Sequence, residues 1–159
     1  MPLPAPAPVL IVDDDELIRG ILRSRLERLG MRVVSAASAE EAVAAIEVLR
    51  PGALVLDLHM PGLSGLDLAE FVRLFGAHLT SVPILIFTGT APTPQMLDEA
   101  RRFNAEVYVK PDDLQPLLDR LVALADPVNQ LLRMERPDSG TGPAGPRGDT
   151  SSDHTDPES

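Results

Sequence analysis

The chain has 159 residues and a formal charge of −10, from 24 acidic against 14 basic side chains. That balance excludes the basic footprint of a nucleic-acid or anionic-membrane surface, and the absence of cysteine excludes disulfides, thiol chemistry and thiolate metal sites. No apolar run approaches the eighteen or so residues of a transmembrane helix, and the opening MPLPAPAP lacks the basic start and apolar stretch of a signal peptide, so the cytoplasm is the expected location.

Residues 1–8 alternate proline with small or apolar residues and read as a short extended arm. The apolar run Val9–Val12 predicts a first strand. In Glu16–Leu29, helical spacing places Leu17, Ile18, Ile21, Leu22, Leu26 and Leu29 on one side, with Gly30 as a stop. Val33–Val34 is a second strand run. Ser38-Ala39-Glu40-Glu41 is a capping box that opens a helix to about Leu49, closed before Pro51. Ala53–Leu56 predicts a third strand, Leu66–Phe75 a third helix and Ile84–Phe87 a fourth strand. Pro94 suits the first turn of a fourth helix that runs to about Phe103. Val107–Val109 is the last strand run. Asp112 or Asp113 then caps a fifth helix, Leu114–Ala125, with Leu117, Leu118, Leu121 and Val122 facing inward.

From Pro127 onward, prolines and glycines dominate, and six acids stand against three bases. Few sizeable apolar side chains remain, so the segment cannot bury enough surface to offset its ordering entropy. Asn129–Glu135 has the composition for one or two further helical turns; beyond them disorder is expected. The glycine triplets at Gly142, Gly145 and Gly148 are too few for a triple helix, and Arg147-Gly148-Asp149 fits chance in such a tail. Residues 9–126 therefore form the one domain, between an arm (1–8) and a low-complexity tail (127–159).

Strand runs that are continuous rather than alternating are covered on both faces. Five of them alternating with five helices predict an α/β fold with a parallel sheet and right-handed crossovers. In such a sheet all strand C-termini share one edge, where ligands bind. The residues at those ends are chemically loaded: Asp13-Asp14-Asp15 after the first run, Asp57 after the third, Thr88 after the fourth and Lys110 after the fifth. Gathered carboxylates repel unless a cation intervenes, and an all-oxygen set suits a hard cation such as Mg²⁺. Carboxylates, Mg²⁺, one ammonium and one hydroxyl make a site for a phosphoryl group, which a carboxylate can accept as nucleophile. Gly89 leaves room for it. Lys110 is the only lysine beside thirteen arginines, and a compact ammonium in a tight pocket is not replaceable by a guanidinium.

The segments VLIVDDDE, LVLDLHMPGLSG, ILIFTGT and VYVKP, in this order on alternating strands, resemble the receiver domain of bacterial two-component response regulators over essentially all of residues 9–126. The resemblance implies a flavodoxin-like, doubly wound five-stranded sheet in the order 2-1-3-4-5 with five helices. It implies Asp57 as phospho-acceptor, and Asp13, Asp14, Asp57 and the backbone carbonyl of His59 as the Mg²⁺ ligands. Thr88 would be the switch hydroxyl, Lys110 the phosphoryl partner and Pro111 the second residue of a cis peptide. Met60-Pro61-Gly62 and Gly65 match the family's turn after the acceptor. The implied donor is a histidine kinase. The implied output is a phosphorylation-dependent surface of helix 4, strand 5 and helix 5, serving a downstream protein, a phosphotransfer protein or a homodimer. On this reading the chain is a stand-alone switch, not an enzyme beyond slow autodephosphorylation.

Two departures stand out. The family's aromatic, three residues before the lysine, falls on Val107, and the only tyrosine, Tyr108, is one residue later. A one-residue shift in a strand moves a side chain to the opposite face unless a bulge realigns it. Many members continue into a DNA-binding or enzymatic segment, whereas here residues 127–159 read as a tail, so a stand-alone output is the expectation. Asp15 is read first as a helix cap, His59 as an exposed modulator of dephosphorylation, and His78 and His154 as surface or tail residues. Two other functions compete: a receiver-like binding module that is never phosphorylated, and a haloacid-dehalogenase-type phosphohydrolase with Asp13 as nucleophile and Asp15 as acid/base. The hydrolase motif wants Thr or Val where Leu17 stands.

Overall fold

The computed structural model describes residues 7–76, 79–109 and 114–125. Five strands, β1 (Val9–Val12), β2 (Val33–Ala36), β3 (Ala53–Asp57), β4 (Ile84–Thr88) and β5 (Ala105–Val109), alternate with five helices. These are α1 (Glu16–Arg28), α2 (Ala39–Leu49), α3 (Gly65–Phe75), α4 (Pro94–Arg102) and α5 (Gln115–Ala125). All neighbouring strands pair in parallel, in the order β2-β1-β3-β4-β5. This is the doubly wound, flavodoxin-like α/β sheet that the sequence implies.

Because successive strand side chains point to opposite faces, the continuous apolar runs feed two cores at once. Leu10, Val12, Leu54, Leu56, Ile84 and Ile86 pack under α2, α3 and α4. Val9, Ile11, Val55, Leu85 and Phe87 pack under α1 and α5, against Leu22, Leu26, Leu117, Leu118 and Leu121. β1, β3 and β4 are buried along their whole length, whereas the edge strands β2 and β5 are largely half-buried.

The first predicted strand matches β1 to the residue, and the other four come out one or two residues short. β2 runs on to Ala36, β3 takes in Asp57, β4 takes in Thr88 and β5 starts at Ala105. Ladder hydrogen bonds to a neighbour carry pairing past the apolar core of each run. The predicted inner faces are too wide in two helices. Leu17 and Leu29 of the α1 segment are 69% and 53% exposed, and Val122 of α5 is 44% exposed, while Leu124 is buried instead. A flat sheet covers only a narrow arc of a helix, centred in α1 on Leu22 and Leu26. Among the described residues no helix is long and apolar enough to cross a membrane. Lys110, Pro111 and its peptide bond, Asp112, Asp113, His78, most of the arm and the tail beyond Ala125 lie outside the described residues.

Candidate functional site

Three connections at the C-terminal edge of the sheet carry the candidate residues. After β1 the chain must turn into α1, and two carboxylates organise that turn. The Asp13 side chain accepts from the Asp15 N–H at 2.9 Å, and the Asp15 side chain accepts from the Leu17 N–H at 2.9 Å as the N-cap of α1. Asp15 is thus a helix cap, as its position predicts. The Arg19 guanidinium donates to the Asp13 backbone carbonyl at 2.6 Å, fastening the turn from the first loop of the helix. Asp13 is buried and Asp14 is exposed beside it.

Asp57 is the last residue of the central strand β3 and is 5% exposed. Its carboxylate accepts from the His59 N–H at 3.3 Å. The start of α3 packs directly against its backbone. A Cβ on Gly65 would stand 2.4 Å from the Asp57 carbonyl oxygen and 3.2 Å from Leu58 Cα, so this close approach admits only glycine. Ser64 and Asp67 close a reciprocal capping box at 3.1 and 3.0 Å and hold α3 in that position. Gly65 therefore bears on the acceptor through backbone contact, a role that its match to the family's turn signals without explaining.

The side chains of Asp13, Asp14 and Asp57 offer carboxylate oxygens that all lie within 4.8 Å of one another. Strand pairing produces this convergence: β1 and β3 are in register from Val9↔Ala53 to Val12↔Leu56, so both chains leave the sheet at the same level. An all-oxygen, triply acidic set fits a hard divalent cation and lacks the nitrogen or sulfur donors of a softer one.

Thr88 ends β4 and is fully buried. Its hydroxyl donates to the Thr90 carbonyl at 3.1 Å and accepts from the Thr90 N–H at 3.2 Å. Thr90 in turn lies 3.1 Å from His59 Nε2 through its own hydroxyl. Sequence reasoning missed Thr90: a lone threonine in a loop carries no signal until the fold brings β3 and β4 side by side. It links the loops that follow those two strands. His59 is exposed, as expected.

Val107 and Tyr108 separate as their spacing predicts. β4 and β5 pair without interruption, Ile86↔Val107, Phe87↔Tyr108 and Thr88↔Val109, so no bulge shifts the register. Val107 packs with the α2–α3–α4 core, and Tyr108 packs with the α1–α5 core, on the face opposite Ile86. The Tyr108 hydroxyl donates to Glu106 at 3.1 Å, and the same carboxylate accepts two-pronged contacts from Arg120 of α5 at 2.7 to 3.0 Å. Tyr108 is thereby held away from the Thr88 hydroxyl.

The chain is matched by the family model of the response regulator receiver domain over residues 9–122. It is 32% identical over 124 residues to the chemotaxis protein CheY of Pseudomonas aeruginosa, covering 76% of this chain and 98% of that protein. It is 35% identical over 137 residues to the response regulator MprA of Mycolicibacterium vanbaalenii, covering 86% of this chain but only 55% of MprA, so it spans about half the length of that relative. Among solved structures, CheY4 of Vibrio cholerae superposes with a TM-score of 0.69 at 30% identity, covering 76% of this chain and 99% of that one. The response regulator TrrA of Thermotoga maritima, solved in complex with Mg²⁺-BeF, superposes with a TM-score of 0.64 at 26% identity, over 73% of this chain and 96% of TrrA. With two acidic strand ends, a buried threonine and a matching sheet already in place, the chain belongs to the response regulator receiver domain family.

Proposed function

We propose that this chain is a signalling switch that takes a phosphoryl group onto Asp57 from a phosphohistidine of a sensor kinase. The observation that carries this reading is the convergence of Asp13, Asp14 and Asp57 within 4.8 Å at the end of a buried central strand. Asp13, Asp14, Asp57 and the His59 carbonyl would hold Mg²⁺, whose charge would neutralise phosphoryl oxygens when bound. An oxygen of the Asp57 carboxylate attacks phosphorus, the P–N bond to the donor imidazole breaks, and the imidazole takes up a proton as it leaves. Thr88 supplies a hydroxyl donor to the new phosphoryl group once it releases the Thr90 carbonyl, and Lys110 supplies the counter-charge.

The signal leaves through the surface of α4, β5 and α5, toward a downstream protein or a phosphotransfer partner. Loss of the Thr88–Thr90 contacts would free the β4–α4 loop without help from Tyr108, which faces the other core. A cytoplasmic site of action follows from a kinase donor of this kind. The phosphohydrolase reading asks Asp15 to act as acid/base, yet that carboxylate is engaged in capping α1.

The test is incubation with Mg²⁺ and acetyl phosphate followed by peptide mapping in a mass spectrometer. One phosphoryl group on Asp57, absent from Asp57→Asn, is the expected result and the largest effect expected of any single substitution. Label on Asp13 with sustained turnover would establish the hydrolase instead. No label, even with a cognate kinase, would leave the unphosphorylated binding module.

A further inference from the structure

α4 is held at its two ends by different means. Before it starts, the chain leaves β4 through the exposed loop 89–91, and the Thr93 side chain then caps the helix by accepting from the Met96 N–H at 3.2 Å. That loop is tied to the end of β4 by the Thr88–Thr90 contacts at 3.1 and 3.2 Å, the ones that a phosphoryl group on Asp57 would release. Packing adds little at this end: Pro94 and Gln95 are exposed and Met96 and Leu97 half-buried, whereas Ala100 in the last turn is buried.

The other end is clamped by Arg73 of α3. Its Nε donates to the carbonyl of Phe103, the C-cap of α4, at 2.7 Å, and its Nη2 to the carbonyl of Asn104 at 3.3 Å. Its Nη1 donates to the Leu79 and Thr80 carbonyls of the α3–β4 connection at 2.8 and 3.1 Å. The last carbonyls of a helix lack intrahelical donors and form its negative pole. A planar guanidinium fork therefore fits the end of α4 and the neighbouring loop together, which the point charge of a lysine cannot do. Phe103 also packs against the α2–α3–α4 core. α3 is itself fixed, with Leu66, Leu68, Ala69 and Val72 buried and Gly65 hard against the Asp57 backbone.

We propose that Arg73 is the fulcrum of the switch: when Thr88 releases Thr90, α4 pivots about its clamped C-terminal end, and its start swings while Phe103 and Asn104 stay in place. The inference rests on Asp57 accepting phosphate. α3 is then a strut, with one end against the acceptor's backbone and the other holding the end of α4. The nine residues of α4 span about 13 Å, so a tilt of about 10° carries the start by about 2 Å and the end hardly at all. The output surface is altered most beside the loop 89–91 and least beside Arg73.

The chain has no cysteine, so paired nitroxides can be placed at will in the full-length protein. Ala44→Cys on α2 is the reference, paired with Gln95→Cys at the start of α4 or with Arg102→Cys at its end, all three sites being exposed. Mg²⁺ with beryllofluoride is the probe, and the fluorine NMR signal of the bound group reports occupancy of the acceptor site. On binding, the distance from position 44 to position 95 should shift by about 3 Å, and that to position 102 by less than about 1 Å. Arg73→Gln should let the second distance shift as well, and Arg73→Lys, which keeps the charge without the fork, should fall between. Bound fluoride with both ends displaced equally, or with the start unmoved, would overturn the pivot. So would an Arg73→Gln chain that melts cooperatively and keeps the end fixed. Absence of any bound fluoride would overturn the acceptor reading itself, and the pivot with it.

Discussion

Two charge constellations in this molecule are built on opposite plans. At the C-terminal edge, three carboxylates converge within 4.8 Å, two of them buried. Between β5 and α5, Glu106 meets Arg120 at 2.7 Å and accepts from Tyr108 at 3.1 Å, with all of its chemistry answered from within. The second cluster tunes its own members: Arg120 hydrogen bonding draws the Glu106 carboxyl below its ordinary range, while burial, and then the Glu106 charge, push the Tyr108 phenol up. Like charges gathered on rigid backbone store repulsion that an incoming cation relieves; opposite charges on long side chains store almost nothing. One constellation is prepared for a visitor, and the other holds two elements together.

Breaking the backbone that supports the first cluster should have the larger effect. Gly65→Ala would drive a methyl group to within 2.4 Å of the Asp57 carbonyl oxygen, and the atoms it meets are backbone of Asp57 and Leu58, which has little room to yield. We expect a loss of about 1–3 kcal/mol in denaturant melts, together with slower acetyl-phosphate labelling of Asp57. Unchanged labelling would mean that the α3 start does not set the acceptor's position. Next in size, Asp13→Asn keeps an oxygen that can accept from the Asp15 N–H but removes one like charge. In EDTA it should stabilise the chain by about 1 kcal/mol, whereas added Mg²⁺ should raise its Tm less than that of the parent. A destabilised variant in EDTA would show that the three carboxylates do not repel appreciably.

The unequal legibility of the two clusters has a physical cause. Asp13, Asp57 and Thr88 stand directly after apolar runs, and parallel topology then fixes their neighbourhood whatever their side chains do. Period-two alternation alone likewise puts Tyr108 and Val107 on opposite faces. Glu106 and Arg120 are fourteen positions apart on a strand and a helix, and nothing local ties them. Their meeting depends on how α5 is rotated over the sheet, the same quantity that turned Val122 outward and Leu124 inward. Thr90 and the four carbonyls gripped by Arg73, those of Leu79, Thr80, Phe103 and Asn104, were hidden because only the assembled fold brings those loops beside their partners.

Glu106→Gln tests the self-contained cluster, and its effect should be small. The pair is close to half exposed, so the parent should lose about 1 kcal/mol or less near neutral pH. The depressed Glu106 value makes its contribution present above the unfolded carboxyl pKa of about 4.3 and lost as pH falls through the folded value. Parent and variant should therefore converge in stability at acid pH; a gap that persists there would assign the difference to packing.

Tyr108 gives the finest measurement, because it is the only tyrosine in a chain without tryptophan and its ionisation can be read from ultraviolet absorbance. In the folded parent it should titrate above the free phenol value of about 10. A raised phenol value favours the neutral ring, so this contribution to stability is present below the unfolded pKa and lost as pH rises through the folded one. Glu106→Gln removes the neighbouring charge but leaves the ring against the α1–α5 core, with burial as the first cause of the shift. Its midpoint should fall only part of the way toward the free value. A complete return would mean that the carboxylate, rather than the core, holds the ring neutral, and Tyr108 would then belong to the ion pair more than to the sheet.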